Sequence, residues 1–383
     1  MNSSNRRTFL RTSAAASAAA LLHGPLASAA SRLAPAEPLS ILILGGTGFL
    51  GPAIVEAAKP RGHKITLFNR GKTNPALFPD LEKLQGDRDP NKGEGLKALA
   101  GRKFDVVFDD CGYYPRMVKA SAELMAPNVK QYVYVSSISC YAKNDVVGMD
   151  ETAECAKLAD EAVENMGPGY ANYGGLKALC EKAADAACPG KATIVRPGYI
   201  VGPGDPTDRF TYFPVRAAKG GEMMAPGSTE DPIQVIDVRD LAEWMVLVAE
   251  TKTMGFFNAV GPEKKLSMGE VMDACKKAAR NDVTFTWIPT EFLMKAGESG
   301  EGAIPIWAPP VGTTAGFHTV SNARAVKAGM KFRPIDVIVK DTLAWFKTLP
   351  AERQASMKAG LKPEQETKLL ADFKASKSGA PGK

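Results

Sequence analysis

Histidine is scarce in this sequence of 383 residues, and its scarcity excludes several kinds of active site. The three histidines are His23, His63 and His318, which lie far apart along the chain. A histidine-rich metal site and a Ser-His-Asp triad both depend on histidine side chains. We therefore expect no metal ion and no histidine-based catalysis.

Long apolar runs and paired cysteine motifs are also lacking. No stretch approaches the roughly 18 consecutive apolar residues of a membrane-spanning helix. None of the six cysteines has C-x-x-C spacing, and we expect them to be buried or partly buried thiols. A bridge between Cys180 and Cys188, which are close in sequence, stays open. The six are Cys111, Cys140, Cys155, Cys180, Cys188 and Cys275.

The chain has only a mild excess of positive charge. Its net charge is +6, and Arg6, Arg7 and Arg11 lie in a segment that we expect to be removed. The mature chain would then carry about +3, which is too little to argue for a nucleic-acid partner.

The first 30 residues have the pattern of an export signal. Arg6 and Arg7 precede a short alanine-rich apolar stretch, and Ala27-Ser28-Ala29 is typical of a cleavage site. The paired arginines resemble the twin-arginine signal, which directs folded proteins out of the cytoplasm. This resemblance implies a periplasmic protein, soluble after cleavage and often exported with its cofactor already bound.

Short apolar runs alternate with longer amphipathic ones from residue 39 onward. The runs at 39–44, 64–68, 104–108, 131–136 and 192–196 predict buried strands, and the stretches between them predict helices. This rhythm is typical of a Rossmann-type α/β fold with a doubly wound parallel sheet. We predict that the dinucleotide-binding domain covers residues 39–200.

The pattern loosens after residue 200. Asp237 can cap a helix that runs to Glu250, Ser267 and Glu270 have the spacing of a capping box, and residues 283–288 predict a strand. We predict a smaller α+β substrate-binding region at 201–349, partly interleaved with the first domain. Residues 350–383 predict a polar tail that is disordered from Ser376.

A glycine-rich loop follows the first predicted strand and opens a helix. Gly45, Gly48 and Gly51 have G-x-x-G-x-x-G spacing, which suits a tight turn, a close approach to pyrophosphate and close helix packing. Amides at the helix N-terminus then face the phosphate charge. The loop residues predicted to bind the cofactor are Gly45, Thr47, Gly48, Phe49, Leu50 and Gly51.

This loop resembles that of the extended and atypical short-chain dehydrogenases/reductases, which bind NAD or NADP. The second strand ends in Asn69-Arg70-Gly71-Lys72, with two cations and no carboxylate. An arginine there accommodates the 2′-phosphate of NADP, whereas an acidic residue would favour NAD. The sequence therefore favours NADP, with NAD the alternative. The resemblance also implies that Asp87 contacts the adenine, and Arg88 beside it is a further cofactor candidate.

Tyr173 and Lys177 form a Tyr-x-x-x-Lys motif whose members share one face of a helix. A nearby ammonium lowers the pKa of a phenol, usually about 10, so that it can exchange a proton with an alcohol. Two glycines inside the motif indicate either close approach of a ligand or close helix packing. Upstream, a Val-Ser-Ser-x-x-x-Tyr stretch resembles the family's serine signature and implies that Ser137 is the catalytic hydroxyl.

The resemblance implies hydride transfer on a sugar or sugar derivative, by Ser137, Tyr173 and Lys177. Dehydratases of this family carry an acidic residue after the catalytic hydroxyl, but Ile138 stands here. An epimerase or a simple oxidoreductase with a tightly held cofactor is therefore expected, because a periplasm offers no obvious pool of NADPH.

Four side chains are candidates for binding the substrate. Two arginines and three aromatics cluster at 208–216, where they could stack a ring and pair with an anionic group. The alternative, an amphipathic helix that packs its aromatics inward, stays open. The four candidates are Arg209, Tyr212, Arg216 and Arg239.

Two other readings of the same motifs are a non-catalytic NADP sensor and an RNA-binding relative of the family. Sensors of this type usually lack the Tyr/Lys pair, and the weak net charge argues against RNA. The resemblance also implies a homodimer.

Overall fold

A computed structural model of the chain describes residues 37–297 and 304–378. The predicted export signal at residues 1–30 and the last five residues of the predicted tail, 379–383, lie outside the described residues. Within the described ranges, every helix is too short or too polar to cross a bilayer.

Strands and helices alternate through the first half of the chain and become shorter after it. The strands are β1 (Ser40–Leu44), β2 (Lys64–Asn69), β3 (Glu82–Gln85), β4 (Val106–Asp109), β5 (Gln131–Val135), β6 (Ala192–Pro197), β7 (Tyr199–Val201), β8 (Glu222–Pro226), β9 (Pro232–Ile233), β10 (Val235–Asp237), β11 (Gly255–Ala259), β12 (Leu266–Ser267) and β13 (Thr284–Ile288). The helices are α1 (Leu50–Ala58), α2 (Pro115–Met125), α3 (Tyr173–Ala187), α4 (Tyr212–Ala217), α5 (Val238–Glu250), α6 (Met268–Ala279), α7 (Thr290–Lys295), α8 (Ala323–Lys327), α9 (Ile335–Lys347), α10 (Ala351–Ala355) and α11 (Pro363–Ser378).

Seven strands form one parallel sheet in the order β11-β6-β5-β4-β1-β2-β3. Strand β1 lies at its centre, where Leu42 is in register with Thr66 of β2 and with Val107 of β4. The order β3-β2-β1-β4-β5-β6 is that of a doubly wound Rossmann sheet. The predicted fold class is confirmed.

Helices cover both faces of this sheet because successive strand residues point to opposite faces. Ile41 and Ile43 of β1 pack into one core with α1 and α5. Leu42 and Leu44 pack into a second core with α2 and α3. A strand buried on both faces reads as a continuous apolar run, which is why the sequence reveals β1 so clearly.

Two strands of the sheet lacked predicted bounds. Strand β3 lies at the sheet edge and is mostly exposed, so its sequence, Glu-Lys-Leu-Gln, carries no apolar run. Strand β11 comes from the predicted substrate-binding region and adds to the far edge of the sheet beside β6. Helix α5 also packs against this sheet. Residues after 200 therefore contribute to the dinucleotide-binding fold, as the predicted interleaving implies.

Both predicted helix caps are confirmed. The side chain of Asp237 accepts a hydrogen bond from the Arg239 N–H at the start of α5. Ser267 and Glu270 form a reciprocal capping box at the start of α6. These local signals are reliable because each cap satisfies backbone groups that the helix itself leaves unpaired.

A further core lies outside the large sheet, around the two-stranded parallel pair of β8 and β13. Helices α4, α6, α9 and α11 contribute to it. The remaining small pairs are β7 with β10, which is parallel, and β9 with β12, which is antiparallel.

The predicted polar tail after Leu349 contains two helices in its described residues, α10 and α11. Helix α11 continues to Ser378, so the disorder expected from Ser376 does not begin there. Leu369, Leu370 and Phe373 are buried in the core around β8 and β13. Most positions of this helix are polar and exposed, so its sequence did not reveal the narrow apolar stripe that packs into this core.

Candidate functional site

The glycine loop adopts a backbone that only glycine accommodates easily. Gly45 and Gly46 have φ values of 126° and 88°, in the left-handed region. A Cβ on Gly51 would collide with the backbone of Gly46, so this glycine lets α1 pack closely on the loop. Gly51 is not among the residues that line the cavity beside the loop, and its predicted contact with a cofactor is corrected to a packing role.

A cavity of about 1600 Å³ opens at the carboxyl ends of the parallel strands. The glycine loop lines it with Gly45, Thr47, Gly48, Phe49 and Leu50. Residues that follow β2, β3, β4, β5 and β6 line it as well. In open α/β sheets, ligands bind at this edge, outside the strand ends.

The loop after β2 is held to the glycine loop by Asn69. Its side-chain amide donates to the Gly45 carbonyl at 3.1 Å, and its side-chain oxygen accepts from the Gly71 N–H at 2.8 Å. Arg70 and Lys72 line the cavity from exposed positions. No salt bridge involves either cation within residues 37–297 and 304–378.

Asp87 and Arg88 both reach the cavity, but the charge of Arg88 is already paired. The guanidinium of Arg88 donates to both carboxylate oxygens of Asp109, at 2.5 and 2.8 Å, and to Ser121 at 3.0 Å. Arg88 lines the cavity although its charge is paired within the protein, and its predicted contact with the cofactor stays a prediction. Arg88 holds β4 and α2 together below the site.

Asp110 is a site residue that the sequence analysis missed. Its carboxylate lies against the glycine loop, where it accepts a hydrogen bond from Gly46 and where a Cβ on Gly45 would collide with it. Burial, and then the neighbouring carboxylate of Asp109, raise the pKa of Asp110 to about 7. Its place two residues after the predicted strand at 104–108 was a usable signal, because active-site residues follow strand ends.

Ser136 and Ser137, which are neighbours in the sequence, have different hydrogen-bond partners. Ser136 is buried and donates to Glu181, so it belongs to the interior. Ser137 lines the cavity, and its Oγ accepts the Ser139 N–H at 3.1 Å, which leaves its own proton available for donation. The sequence-based choice of Ser137 is consistent with this geometry.

Tyr173 and Lys177 lie on α3 and line the same cavity as Ser137. The Lys177 ammonium is buried and donates to the carbonyls of Val135 at 2.7 Å and Gly112 at 2.9 Å. It also lies 4.8 Å from the centre of the Tyr134 ring. Burial lowers the pKa of Lys177, and the two carbonyls offset part of the desolvation of its charge.

The two glycines inside the Tyr-x-x-x-Lys motif serve helix packing. A Cβ on Gly174 would collide with the backbone carbonyl of Ser139. A Cβ on Gly175 would meet the side chain of Leu158. Of the two explanations that the sequence left open, close packing accounts for both residues.

One of the four predicted substrate residues lines the cavity. Arg209 does so, with its guanidinium 4.7 Å from the centre of the Tyr199 ring. Tyr212 is buried beside Phe213, and Arg216 pairs with Glu366 at 2.6 Å. The prediction that Tyr212 and Arg216 contact a substrate is wrong, because α4 runs away from the cavity into the core around β8 and β13.

Arg239 is also away from the main cavity. Its guanidinium pairs with Asp237 at 2.7 Å and with Asp341 at 2.6 Å. It borders a separate, smaller cavity of about 380 Å³. The structure therefore does not bring Arg239 into the main cavity, where its predicted contact with a substrate would be made.

The outer end of the cavity holds residues that sequence reasoning missed. Asp205 is buried, and its Oδ2 has no hydrogen-bond partner within the described part of the chain. Phe317 packs on Tyr199 with ring centroids 5.8 Å apart. Lys358 reaches the cavity because the buried carboxylate of Asp208 accepts its backbone N–H at 2.8 Å. No local signal marks Phe317 or Lys358, which come from the distant C-terminal part of the chain.

All six cysteines are free thiols. Four are buried and two are partly buried, as the sequence predicts. Cys180 and Cys188 do not form a disulfide, and the Cys188 thiol contacts the Ala122 carbonyl instead. Both described histidines are structural. His63 accepts the Leu39 N–H at 3.1 Å, and His318 accepts the Gln234 N–H at 3.0 Å.

The proteins that are similar to this chain in sequence or in fold have several different names and activities. No protein-family model matches the chain. It is 30% identical over 260 residues to the chloroplast stem-loop binding protein of 41 kDa b from Arabidopsis thaliana, and the match covers 62% of each chain. It is 29% identical over 232 residues to the 2-alkyl-3-oxoalkanoate reductase of Stenotrophomonas maltophilia, covering 55% of this chain and 66% of the reductase.

A solved structure with a similar fold is the UDP-glucose 4-epimerase of Bifidobacterium longum in complex with NAD⁺ and UDP. The TM-score is 0.55 at 18% identity, and the match covers 81% of this chain and 98% of the epimerase. The chain thus has the fold of this enzyme, while it spans less than two thirds of the chloroplast relative.

The packing role of Gly174 predicts a stability defect. The Gly174→Ala variant should unfold more easily by about 1–3 kcal/mol, because its Cβ overpacks a rigid backbone carbonyl. Gly175→Ala is the matched control and should lose less, because the half-buried Leu158 side chain can rotate. Urea denaturation measures both. Unchanged stability of Gly174→Ala with weaker dinucleotide binding would assign this glycine to ligand approach instead.

Proposed function

We propose that this protein is an NAD(P)-dependent epimerase or oxidoreductase that acts on a sugar or sugar derivative. The observation that carries the proposal is the meeting of Ser137, Tyr173 and Lys177 in one cavity with the glycine loop. The NAD⁺ complex of the structurally similar UDP-glucose 4-epimerase supports a nicotinamide cofactor. The relative named as a reductase supports the oxidoreductase alternative.

The residues present fit a dinucleotide. A Cβ on Gly45 or Gly46 would collide with Asp110 or Leu67, whereas a Cβ on Gly48 would occupy open space in the cavity at the N-terminus of α1. Thr47 and Gly48 border the space where a pyrophosphate would face these amides. When bound, the nicotinamide ring supplies the centre that accepts and returns a hydride.

The residues around the reacting carbon would exchange a proton with the substrate oxygen and orient the substrate. Tyr173 would take a proton from a substrate hydroxyl or return it to a carbonyl. Ser137 would donate a hydrogen bond to the same oxygen, since its Oγ already accepts one from Ser139. Lys177 would fix α3 at the strand ends and keep a positive charge beneath the site.

The substrate end of the cavity suits a polyhydroxylated ring. The unpartnered Oδ2 of Asp205 can accept a hydrogen bond from a sugar hydroxyl. Tyr199 and Phe317 offer aromatic faces, and Arg209 and Lys358 offer positive charge for an anionic substituent. Ile138 after Ser137 supplies no acid for elimination, so dehydration is not part of the proposal.

We also propose export to the periplasm with the cofactor already bound, on the basis of the twin-arginine pattern. A reaction that returns the cofactor to its starting state needs no external supply of NADPH. Epimerisation meets this condition.

RNA binding is a second candidate, favoured by the likeness to the chloroplast stem-loop binding protein. The mild net charge of +6 and the Tyr173–Lys177 pair favour the enzyme. A salt-sensitive affinity for stem-loop RNA, unaffected by dinucleotide, would reverse this order.

Replacement of Tyr173 tests the proposed chemistry. In assays of free sugars, keto-sugars and UDP-sugars, Tyr173→Phe should lose at least about 100-fold in turnover while it still binds dinucleotide, because the proton exchange is removed. Absorbance of the reduced nicotinamide and product analysis measure it. Tyr114→Phe is the matched control, since Tyr114 lies outside the cavity lining. Dinucleotide binding without turnover on any substrate class would support the sensor instead.

Arg70 tests the choice of cofactor. NADPH should bind more tightly than NADH, and Arg70→Ala should weaken NADPH binding by about 10-fold, because a charged partner of the 2′-phosphate is lost. Fluorescence titration measures both, with Lys264→Ala as a control that removes an exposed cation elsewhere. Tighter NADH binding in the wild-type protein would contradict the NADP proposal.

Asp110 predicts a pH dependence of cofactor binding. Below its pKa of about 7 the carboxyl is neutral, whereas above it a negative charge would lie against the glycine loop, where a pyrophosphate would bind. NADH affinity should therefore fall several-fold between about pH 6 and about pH 8, while the charge of the NADH pyrophosphate stays constant. Calorimetry measures this, and Asp110→Asn should remove the dependence. A variant that keeps the same pH profile would contradict the assignment.

A further inference from the structure

Two cysteine thiols lie side by side close to the turn that follows Ser137. Cys140 ends the short 3-10 turn Ile138–Cys140, which follows Ser137 directly. Cys155 lies on a segment that pairs antiparallel with it through a bridge between Tyr141 and Cys155. The two sulfur atoms are within 4.8 Å of each other, and their thiols are hydrogen bonded.

The surroundings of the pair shift the pKa values of the two thiols in opposite directions. The Cys140 thiol, and then the Arg196 guanidinium, whose Nη2 lies 3.4 Å from the Cys155 sulfur, lower the pKa of Cys155. The shared hydrogen bond and burial raise the pKa of Cys140. Cys155 is half-buried, whereas Cys140 is fully buried. The nucleophilic thiolate is therefore the more accessible sulfur of the two.

Arg196 connects this pair to the interior below the candidate active site. It forms a buried ion pair with Glu181 at 2.7 Å, and Glu181 also accepts the hydroxyl of Ser136. The same guanidinium lies 4.9 Å from the centre of the Tyr141 ring. The positive charge beside Cys155 is thus fixed in place.

We propose that Cys140 and Cys155 form a site of thiol–disulfide exchange that closes into a reversible intramolecular disulfide. The site is independent of the proposed enzymatic function, since neither cysteine lines the main cavity. The bond would join the segment that ends at Cys155 to the 3-10 turn Ile138–Cys140 after β5. That segment includes Asn144, which borders the cavity.

The exchange balances with a low-molecular-mass disulfide such as oxidised glutathione as the oxidant. The Cys155 thiolate attacks one sulfur of that disulfide, its S–S bond breaks, and one glutathione thiolate leaves. Cys140 then loses its proton to solvent and attacks the Cys155 sulfur, which expels the second glutathione thiolate. Two cysteines lose two electrons and two protons, and the oxidant becomes two thiols.

A metal site is the competing explanation, because the two sulfurs and a Glu181 oxygen lie within one small cluster. The Arg196 guanidinium opposes it. This cation already pairs with Glu181 and contacts Cys155, so a second cation would have to displace it. The arrangement therefore favours disulfide formation over coordination.

The test uses the full-length reduced protein, incubated with oxidised glutathione, alkylated without reduction and digested with trypsin. Cleavage after Lys130, Lys143 and Lys157 places Cys140 and Cys155 on separate peptides, residues 131–143 and 144–157. Mass spectrometry should find these two peptides joined, with the loss of two hydrogen atoms. Dithiothreitol should restore both thiols, and the oxidised protein should show a higher midpoint of thermal unfolding.

Matched variants separate the pair from the other cysteines. Cys155→Ser should abolish the joined peptides, Cys140→Ser should leave Cys155 as a stable mixed disulfide with glutathione, and Cys188→Ala should leave the cross-link unchanged. Two outcomes would overturn the proposal. One is full alkylation of both thiols after oxidation, and the other is stoichiometric Zn²⁺ binding by the reduced protein that both serine variants abolish.

Discussion

A buried lysine holds the candidate active site together. Lys177 donates to the Gly112 carbonyl in the loop after β4 and to the carbonyl of Val135, the last residue of β5, so one ammonium joins α3 to both. The cost of removing its charge from water is offset by these two hydrogen bonds and by the Tyr134 ring. Because Lys177 fixes α3 at the strand ends, the first residue of that helix, Tyr173, borders the cavity near Ser137.

Close backbone contact reinforces this arrangement. The absence of a side chain at Gly174 lets α3 approach the Ser139 carbonyl, two residues after Ser137. Below it, the buried pair of Glu181 and Arg196 binds Ser136 and reaches the two thiols. A buried ion pair is a weak source of stability but fixes geometry well when its hydrogen bonds are satisfied. The serine loop is therefore supported both by α3 and from beneath.

The C-terminal part of the chain completes the cavity from a distance. Asp208 is buried and accepts hydrogen bonds from Arg353 and from the backbone of Lys358. This contact brings residues from beyond Leu349 to the outer end of the site, where the proposed substrate would lie. Helix α11 then anchors this segment through the core around β8 and β13.

The sequence by itself determined the Rossmann sheet, the helix caps and the glycine loop, and it predicted the set of Ser137, Tyr173 and Lys177, which the fold brings to one cavity. These features depend on local patterns: a strand buried on both faces, a cap at a helix end, or two residues four apart on one helix face. It could not determine whether Arg88 and Arg216 were available, because their charges are taken by carboxylates, Asp109 and Glu366, that neighbour them only in the fold. Asp110 stood at a readable strand end, yet its proximity to the glycine loop is a tertiary contact. The tertiary structure alone decided the outer wall of the cavity and the pairing of Cys140 with Cys155, since these contacts join parts of the chain that no local periodicity relates.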